Sequence, residues 1–347
     1  MSIKESDITV VFQGPVVPGP EGTFEHIRRT QQALPHAQYI LSTWDRSDCR
    51  GIDVDQIVLS DDPGGLPGIK RRDGAKEPNN INRQLRSAGR GLMAADTNYA
   101  IKIRTDCSLE HAGLLREIDR FRLTRSLPRI VASSIFTIDP MMFEQMPYHV
   151  SDWVQFGETS ILQKYWSASF MDQRDATHYE RYPYASHSTF MDRRFRCRLA
   201  VEQHVACRYA EQLGYAVPRY HNDVRNEVMA GHRRFLAERM VILDPWHIGL
   251  RFPKYVWAYR SGFQRLNCLL FLDWYQIYLE EGGVPVETEP PIQSFQSRRQ
   301  RKRAARILSQ WMDRAGPLLV RPGCKQMVNR LLSVLARDGR LLSNDEC

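Results

Sequence analysis

The stretch ITVVFQGP, residues 8–15, is an apolar, β-branched run that stops at a glycine and a proline. A short run of this kind between turn residues is typical of a buried β-strand. The next segment, residues 24–34, has the apolar spacing of an amphipathic helix, with Thr23 as its expected N-cap and Pro35 as its end. A strand followed by a helix begins the alternation that builds a parallel sheet.

The same alternation continues to about residue 135. Further strands are predicted over residues 39–41, 56–59, 99–104 and 129–133, and further helices over about 80–95 and 199–213. This pattern predicts an α/β fold in which a mostly parallel, mixed sheet carries helices on both faces. Beyond residue 252 the pattern is mainly helical, so we expect a sheet domain over 1–250 and a helical C-terminal region with a basic tail over 251–347.

Composition limits the class of protein. The 347 residues are 42 % hydrophobic and 25 % charged, which is ordinary for a globular chain and excludes a disordered one. The seven cysteines are scattered without a CxxC pair, and no signal peptide or apolar stretch of about 18–20 residues is present, so a cytoplasmic location is expected. A net charge of +8 favours anionic partners such as nucleotides or an anionic lipid surface.

Asp106 follows the predicted strand AIKIR at 100–104, so its carboxylate lies near the carboxyl end of that strand. Open α/β sheets bind their ligands at the carboxyl ends of strands. One carboxylate together with diphosphate oxygens suits a divalent cation, Mg²⁺ or Mn²⁺. Lys102 and Arg104 alternate with apolar residues and share a face, where they could neutralise a diphosphate. A solvated acid at a strand end is the competing interpretation, since no second acid completes a DxD pair.

Amide side chains crowd the start of the predicted helix at 80–95, in the segment NNINRQ. Free N–H groups and the positive end of the helix dipole could bind an anion there, with Asn80 and Arg83 beside it. Ordinary N-capping by asparagine explains the same residues. Asp45, after the second strand, could accept hydrogen bonds from a base or a ribose.

Two acids are candidates for accepting a proton from a sugar hydroxyl. Asp152 lies beside Trp153, an aromatic residue that could stack on an acceptor sugar, and Glu202 lies at the start of a predicted helix. Either acid could instead serve the helix dipole. Between the two, Glu202 is the preferred proton acceptor.

The segment 298–306 is strongly basic. Six basic residues and no acid occur in it: Arg298, Arg299, Arg301, Lys302, Arg303 and Arg306. A solvated helix face, a nucleic-acid patch and a docking surface for the anionic inner leaflet of a membrane are the three interpretations. No nucleic-acid-binding motif accompanies the segment, so nucleic acid is not an expected partner.

Five motifs, in their order and spacing, resemble the WavE lipopolysaccharide-synthesis family. They are ITVVFQGP at 8–15, LSTW at 41–44, DDPGG at 61–65, NNINRQ at 79–84 and KIRTD at 102–106. The resemblance is specific over about residues 8–110 and weaker through 151–153 and 202–203.

The resemblance implies a bacterial surface-polysaccharide protein with a GT-A-like nucleotide-sugar domain. Gln13 with its neighbour Gly14, Asp45 and Arg83 would then lie around the nucleotide, and Asp106 would stand at the metal-associated acid. Ser108 stands where a second acid of a DxD motif would be, which leaves metal dependence open.

The expected function is that of a glycosyltransferase. It would move a sugar from a nucleotide-diphosphate sugar to a lipopolysaccharide or capsular polysaccharide acceptor, which can be lipid-linked, at the inner face of the plasma membrane. A nucleotidyltransferase that makes an activated sugar and a non-catalytic polysaccharide-assembly factor are the alternatives.

Overall fold

A computed structural model describes residues 3–68, 78–122, 128–189, 191–286, 292–314 and 322–336. The strands are β1 Ile8–Gln13, β2 Gln38–Trp44, β3 Gln56–Ser60, β4 Tyr99–Arg104, β5 Ser108–Leu109, β6 Ile130–Ser133, β7 Val154–Glu158, β8 Met240–Leu243 and β9 Leu250–Arg251. The helices are α1 Thr23–Ala33, α2 Ile81–Ala94, α3 Gly113–Arg122, α4 Thr159–Tyr165, α5 Gln173–Ala176, α6 Val201–Gln212, α7 Asn226–Arg239, α8 Pro245–Ile248, α9 Val256–Arg260, α10 Gly262–Asn267, α11 Phe271–Glu280, α12 Ile292–Arg314 and α13 Pro322–Leu335.

In the described part of the chain, seven strands form one mixed sheet in the order β3-β2-β1-β4-β7-β6-β8. β1 is parallel to β2 and β4, β2 is parallel to β3, and β6 is parallel to β8. β7 is antiparallel to both of its neighbours, β4 and β6. All six residues of β1 are buried, so the centre of the sheet is covered on both faces. The predicted mostly parallel, mixed sheet is confirmed.

Two local details differ from the sequence-based expectations. Thr23 is the first residue of α1 and not its N-cap; its hydroxyl accepts a hydrogen bond from Val17 N at 2.9 Å and so ties down the loop before the helix. Strand β7 lies in a segment whose irregular, aromatic pattern gave no strand signal, and its sequence VQFGE ends in glycine and glutamate, two residue types that are depleted in strands.

The hydrophobic core crosses the predicted domain boundary at residue 250. Phe252, Trp274 and Tyr278 belong to the same buried cluster as the residues of β1 and β8, and β9 pairs with β5. In the described part of the chain only helices follow β9, and the division into regions 1–250 and 251–347 stays a prediction.

Helix α2 lies against β1 and β2 through a glycine that leaves no room for a side chain. A Cβ at Gly91 would come within 2.5 Å of Val11 Cγ1 and 2.8 Å of Ser42 Cβ. We expect Gly91→Ala to lower the free energy of unfolding by about 1–3 kcal/mol, although alanine is the better helix former.

Gly89, on the same helix, provides the matched control. Its added Cβ would lie 3.6 Å from the nearest atom, the carbonyl oxygen of Trp166. Gly89→Ala is therefore expected to raise the free energy of unfolding by about 0.5–1 kcal/mol. Urea denaturation measures both variants, and equal effects from the two would contradict close packing of α2 at Gly91.

Candidate functional site

A polar cavity of about 520 Å³ lies at the carboxyl ends of β1 and β4. Six of the residues predicted for a nucleotide-sugar site line it, namely Gln13, Gly14, Asn80, Arg83, Arg104 and Asp106. A larger cavity, of about 1050 Å³, lies elsewhere, between Lys4, His36 and Arg116, and includes none of the predicted residues. The position at the strand ends and the charged lining favour the smaller cavity as the functional site.

The turn after β1 shapes one wall of this cavity. Gly14 has φ +127°, and a Cβ there would come within 2.9 Å of Thr105 Oγ1. The hydroxyl of Thr105 donates to the carbonyl of Pro15 at 2.8 Å, and Thr105 N donates to the carbonyl of Gln13 at 3.1 Å. Glycine is required at this position because the backbone angle and the close approach both exclude a side chain.

Arg104 and Asp106 form the charged centre of the cavity. Arg104 Nε and Nη2 donate to the two oxygens of Asp106 at 2.9 and 2.8 Å, and Lys254 Nζ lies 3.6 Å from Asp106 Oδ2. Burial acts to raise the pKa of Asp106, but Arg104 and Lys254 outweigh burial and hold that pKa below its ordinary value. Asp106 is therefore an ionised carboxylate between two cations.

The side chains that line the cavity provide few ligands for a divalent cation. Ser108, at the position of a second acid, is buried in β5 and contacts His26 Nδ1 at 3.2 Å. Among the described residues, no group of three or more His, Cys, Asp or Glu side chains is arranged to hold a metal ion. Because Arg104 and Lys254 already pair with Asp106, this donor set does not favour a metal, and the predicted metal role of Asp106 stays a prediction.

Two unpredicted residues, Lys254 and Tyr255, line the cavity from a segment about 150 residues downstream of Asp106. They lie in a short 3₁₀ turn that follows β9. The only sequence signal was the basic-aromatic segment RFPKYVW at 251–257, which follows no predicted strand.

Lys102 lies behind the cavity and not in it. Its side chain is fully buried, donates to the backbone carbonyl of Asp152, and lies 4.4 Å from the centre of the Trp166 ring. Burial lowers the pKa of Lys102 to about 8 against the opposing charge of Asp152. The expectation that Lys102 shares a diphosphate with Arg104 is not met in this structure, because the strand end turns only Arg104 toward the cavity.

Asp152 is a buried counter-ion. It is 3 % exposed, with Lys102 Nζ at 3.8 Å and Arg104 Nη1 at 3.9 Å from its carboxylate oxygens. Among the described residues neither of these oxygens has a hydrogen-bond partner. This position fits a residue that fixes Arg104 and Lys102 better than one that meets an acceptor hydroxyl.

Trp153 is also buried, contrary to its expected role as a sugar-stacking surface. Its ring packs against Phe252, Tyr255 and Phe136 at centroid distances of 4.4, 4.8 and 5.0 Å. The guanidinium of Arg104 lies 5.8 Å from the ring. Trp153 thus supports Arg104 from behind, and its faces are not open to an acceptor.

Arg83 and Asn80 lie at the start of α2 with the turn at 61–65. Arg83 donates to both oxygens of Asp62 at 2.7 and 2.8 Å and to Asn80 Oδ1 at 2.9 Å. The N-cap residue of α2 is Asn80, whose side chain makes no capping hydrogen bond. Asn79 Oδ1 accepts from Ile81 N at 3.0 Å, which is the hydrogen bond of a turn before the helix. Side-chain capping of α2 by asparagine is therefore not observed.

Asp45 lines a second cavity, of about 520 Å³, next to the first. Trp44 and Asp62 line both cavities. The two cavities are therefore adjacent and extend along the carboxyl ends of β1, β2 and β3. Their combined length suits an extended ligand.

Glu202 pairs with a histidine, His149, that was not among the predicted site residues. Glu202 Oε2 lies 3.2 Å from His149 Nε2, and His149 Nδ1 donates to the carbonyl of Phe136 at 2.9 Å. Burial acts against both charges, yet their mutual attraction raises the pKa of His149 and lowers that of Glu202, which Arg104 lowers further. Glu202 lies in the first turn of α6, as predicted, and its side chain is 21 % exposed.

Five of the six basic residues of the tail fall into two sets on α12, and the sixth, Arg301, is half-buried. Arg298 and Lys302 are buried and pair with Asp273, and Lys302 pairs also with Asp139. Arg299, Arg303 and Arg306 are exposed. The segment is therefore not uniformly a solvated face, because acids distant in sequence compensate two of its charges. In the described ranges no helix combines the length and apolarity needed to cross a membrane.

Together these features define an α/β protein whose mixed sheet carries a charged, two-part cavity at its strand ends. The chain belongs to the WavE lipopolysaccharide synthesis family, whose model matches residues 8–309. The resemblance seen in the five motifs is thus confirmed. The predicted fold class, a mostly parallel, mixed sheet with helices and a mainly helical C-terminal region, is also observed.

The solved structures that this chain matches are distant from it in sequence and in structure. A glycosyltransferase involved in glycosylation of the major capsid of PBCV-1 is 11 % identical, with 69 % of this chain and 82 % of that chain covered and a TM-score of 0.29. An active-site mutant of LgtC is 11 % identical, with 68 % and 73 % covered and a TM-score of 0.34. The bifunctional IspDF from Campylobacter jejuni is 10 % identical with a TM-score of 0.27; 48 % of this chain is covered, and the chain spans 44 % of that protein. No curated protein sequence matches the chain.

Proposed function

We propose that the protein is a glycosyltransferase that moves a sugar from a nucleoside-diphosphate sugar to a lipopolysaccharide or capsular polysaccharide acceptor. The observation that carries the proposal is the cavity at the strand ends, where Arg83, Arg104 and Lys254 lie among the carboxylates of Asp62 and Asp106. Membership of a lipopolysaccharide synthesis family supports the polysaccharide acceptor.

The donor would occupy the two adjoining cavities. The nucleoside fits the Asp45 cavity, where carboxylates can accept hydrogen bonds from ribose or base. The diphosphate fits the cavity of Gln13, Gly14 and Asn80, near the N-terminus of α2. Arg104 and Lys254 would meet the diphosphate charge, and they would do so most strongly as the diphosphate leaves.

The transfer step moves one sugar and one proton. The acceptor hydroxyl oxygen forms a bond to the anomeric carbon, the bond from that carbon to the diphosphate breaks, and the electron pair leaves with the nucleoside diphosphate. Glu202 takes the hydroxyl proton. It is preferred over Asp152 because it is partly exposed, whereas Asp152 is buried and held between Lys102 and Arg104.

Lys254 gives the first test, since its side chain is exposed and its loss should leave the fold intact. We expect Lys254→Ala to weaken binding of the nucleoside-diphosphate sugar about tenfold, because one cation facing the diphosphate is lost. Ligand-observed NMR against a panel of nucleotides and nucleotide sugars measures this. Lys164→Ala, at an exposed lysine on α4, is the matched control and should change nothing. Equal affinities for wild type and Lys254→Ala would contradict this diphosphate position.

The same panel separates the roles of Asp106. Loss of Mn²⁺-dependent binding in Asp106→Ala would assign a cation to this carboxylate, and binding that persists in EDTA would assign charge neutralisation to Arg104 and Lys254. Asp48→Ala is the control, because Asp48 makes the same two-residue, bidentate pair with Arg50 outside the cavity.

Pyrophosphate release from a nucleoside triphosphate would favour a nucleotidyltransferase. Absence of any nucleotide binding would favour an assembly factor.

We also propose that the exposed arginines of α12 hold the protein at the anionic inner face of the plasma membrane. Arg299, Arg303 and Arg306 are available for this contact, and each basic residue near such a surface contributes about 1 kcal/mol. Co-sedimentation with phosphatidylglycerol vesicles should fall when all three arginines are changed to glutamine, and should fall also in high salt.

A further inference from the structure

A group of aromatic side chains extends from the wall of the cavity to the surface of the protein. Trp257, on α9, is 52 % exposed, and its ring lies 6.4 Å from that of Phe136 in an edge-to-face arrangement. Tyr255, which lines the cavity, lies 6.3 Å from Phe136. We call Phe136, Tyr255 and Trp257 the aromatic step. It begins at the cavity wall and ends at an indole open to solvent.

The backbone of Phe136 is held in an unfavourable conformation. Its φ of 62° lies in the left-handed region, which is uncommon and unfavourable for a bulky residue. Phe136 N donates to Cys268 Sγ at 3.3 Å, and its carbonyl accepts from His149 Nδ1 at 2.9 Å. Backbone strain of this kind is maintained by surrounding contacts and occurs mainly at functional sites.

The aromatic step lies between the two parts of the proposed reaction centre. On one side Tyr255 contacts the guanidinium of Arg104 at 5.8 Å. On the other side Phe136 is bonded through its carbonyl to His149, the partner of Glu202. A molecule resting on the step would therefore lie near both the diphosphate-binding cation and the preferred proton acceptor.

The surroundings of Trp257 indicate the chemistry of that molecule. Lys254 and Arg260 are exposed on the same short segment, and Asp106 lies 3.6 Å from Lys254. A sugar ring can place its C–H groups on an aromatic face, which carries partial negative charge, and its hydroxyl groups on flanking charges. A protein partner would need a larger continuous apolar patch than one indole and its neighbour Val256 provide.

We infer that the aromatic step binds a sugar ring of the acceptor saccharide, with Trp257 as the residue that stacks on it. This inference rests on the proposed function and assigns to Phe136, Tyr255 and Trp257 the acceptor role that Trp153 cannot fill. Trp257 is a substrate-contacting residue, and Phe136 is a positioning residue that supports it and joins it to the Glu202–His149 pair.

Saturation-transfer NMR tests the inference with a defined probe, the lipid-free core oligosaccharide released from lipopolysaccharide by mild acid. Trp257→Ala is expected to weaken its binding about tenfold or more, and Trp257→Phe should retain most of the affinity, because a ring remains. Tyr182→Ala is the matched control: Tyr182 is 51 % exposed, on a different surface segment, and should have no effect. Binding of nucleotide sugar should be the same in all three variants.

The outcomes distinguish this inference from the proposed function. Nucleotide-sugar binding without oligosaccharide binding by the wild type, or equal oligosaccharide binding by wild type and Trp257→Ala, overturns the aromatic step alone. Absence of both ligands overturns the proposed function and the step together. A Trp257→Ala variant that keeps the oligosaccharide but loses phosphatidylglycerol vesicles would assign the indole to a lipid surface and overturn the saccharide.

Discussion

Glu202→Gln is expected to lower the rate of sugar transfer by about 10²–10⁴-fold, which is the range that general base catalysis contributes. Glutamine keeps the shape and a hydrogen bond to His149 but cannot accept the hydroxyl proton. Donor affinity should be unchanged, because neither Glu202 nor His149 lines the cavity. The measurement is the single-turnover rate with the donor that the binding panel identifies.

The pH dependence of transfer provides a second readout for the Glu202–His149 pair. His149 and Arg104 lower the pKa of Glu202 against the effect of burial, so Glu202 is deprotonated throughout the neutral range. Removing the charge of His149 in His149→Ala lets burial raise the pKa of Glu202. We expect the acid limb of the rate profile to move to higher pH in this variant, since a group with a higher pKa loses its base form sooner as the pH falls.

Asp152→Asn is the control that separates the two candidate acids. Asp152 is a buried counter-ion of Lys102 and Arg104, so this change should lower stability and leave the position of the acid limb unaltered. If Asp152→Asn abolished transfer in a folded protein and Glu202→Gln did not, the assignment of the proton acceptor would be reversed.

The first half of the fold could be predicted from sequence because each element carries its own local signal. Residues 8–12, 39–41, 56–59 and 99–104 are short apolar runs bounded by turn residues, and all four are strands of the sheet. Strand β7 could not be predicted, since its pairing with β4 and β6 is set by tertiary packing and not by a local pattern.

Only the site residues that follow predicted strands could be assigned to the site from the sequence. Gln13, Arg104 and Asp106 follow apolar runs, so their convergence follows from the parallel sheet. Lys254, Tyr255 and Trp257 come from a distant segment, and only the folded chain brings them to the same edge. The sequence also did not reveal which side chains are buried. Trp153 and Lys102 are residue types that occur in binding sites, but both lie buried behind the cavity wall that the ligand would meet.

For the basic tail, the sequence likewise could not predict which charged side chains are buried. A run of cations on α12 suggests a uniform surface, but two of its members are buried against acids from elsewhere in the chain. Asp273, on α11, accepts from Arg298 Nε at 2.8 Å, from Arg298 Nη2 at 2.6 Å and from Lys302 Nζ at 2.7 Å. Lys302 also donates to Asp139 at 2.7 Å. These contacts attach α12 to the body of the protein.

Asp273→Ala is expected to lower the free energy of unfolding by about 3–5 kcal/mol, because it removes the shared counter-ion of two buried cations. Urea denaturation at neutral pH measures the loss, and hydrogen exchange should show it first in α12, the helix that the pair attaches. Arg303→Ala, at an exposed position on the same helix, is the matched control and should stay within about 0.5 kcal/mol of wild type.

The pH dependence of this loss follows from the carboxylate. Burial alone would raise the pKa of Asp273, but Arg298 and Lys302 lower it to about 2 in the folded protein. A carboxyl group with a lowered folded pKa stabilises the fold above its unfolded pKa, and that stabilisation is lost as the pH falls through the folded value. The gap between wild type and Asp273→Ala should therefore be constant above about pH 5 and shrink between about pH 4 and 2. A gap that persisted unchanged to pH 2 would show that Asp273 acts by packing and not by charge.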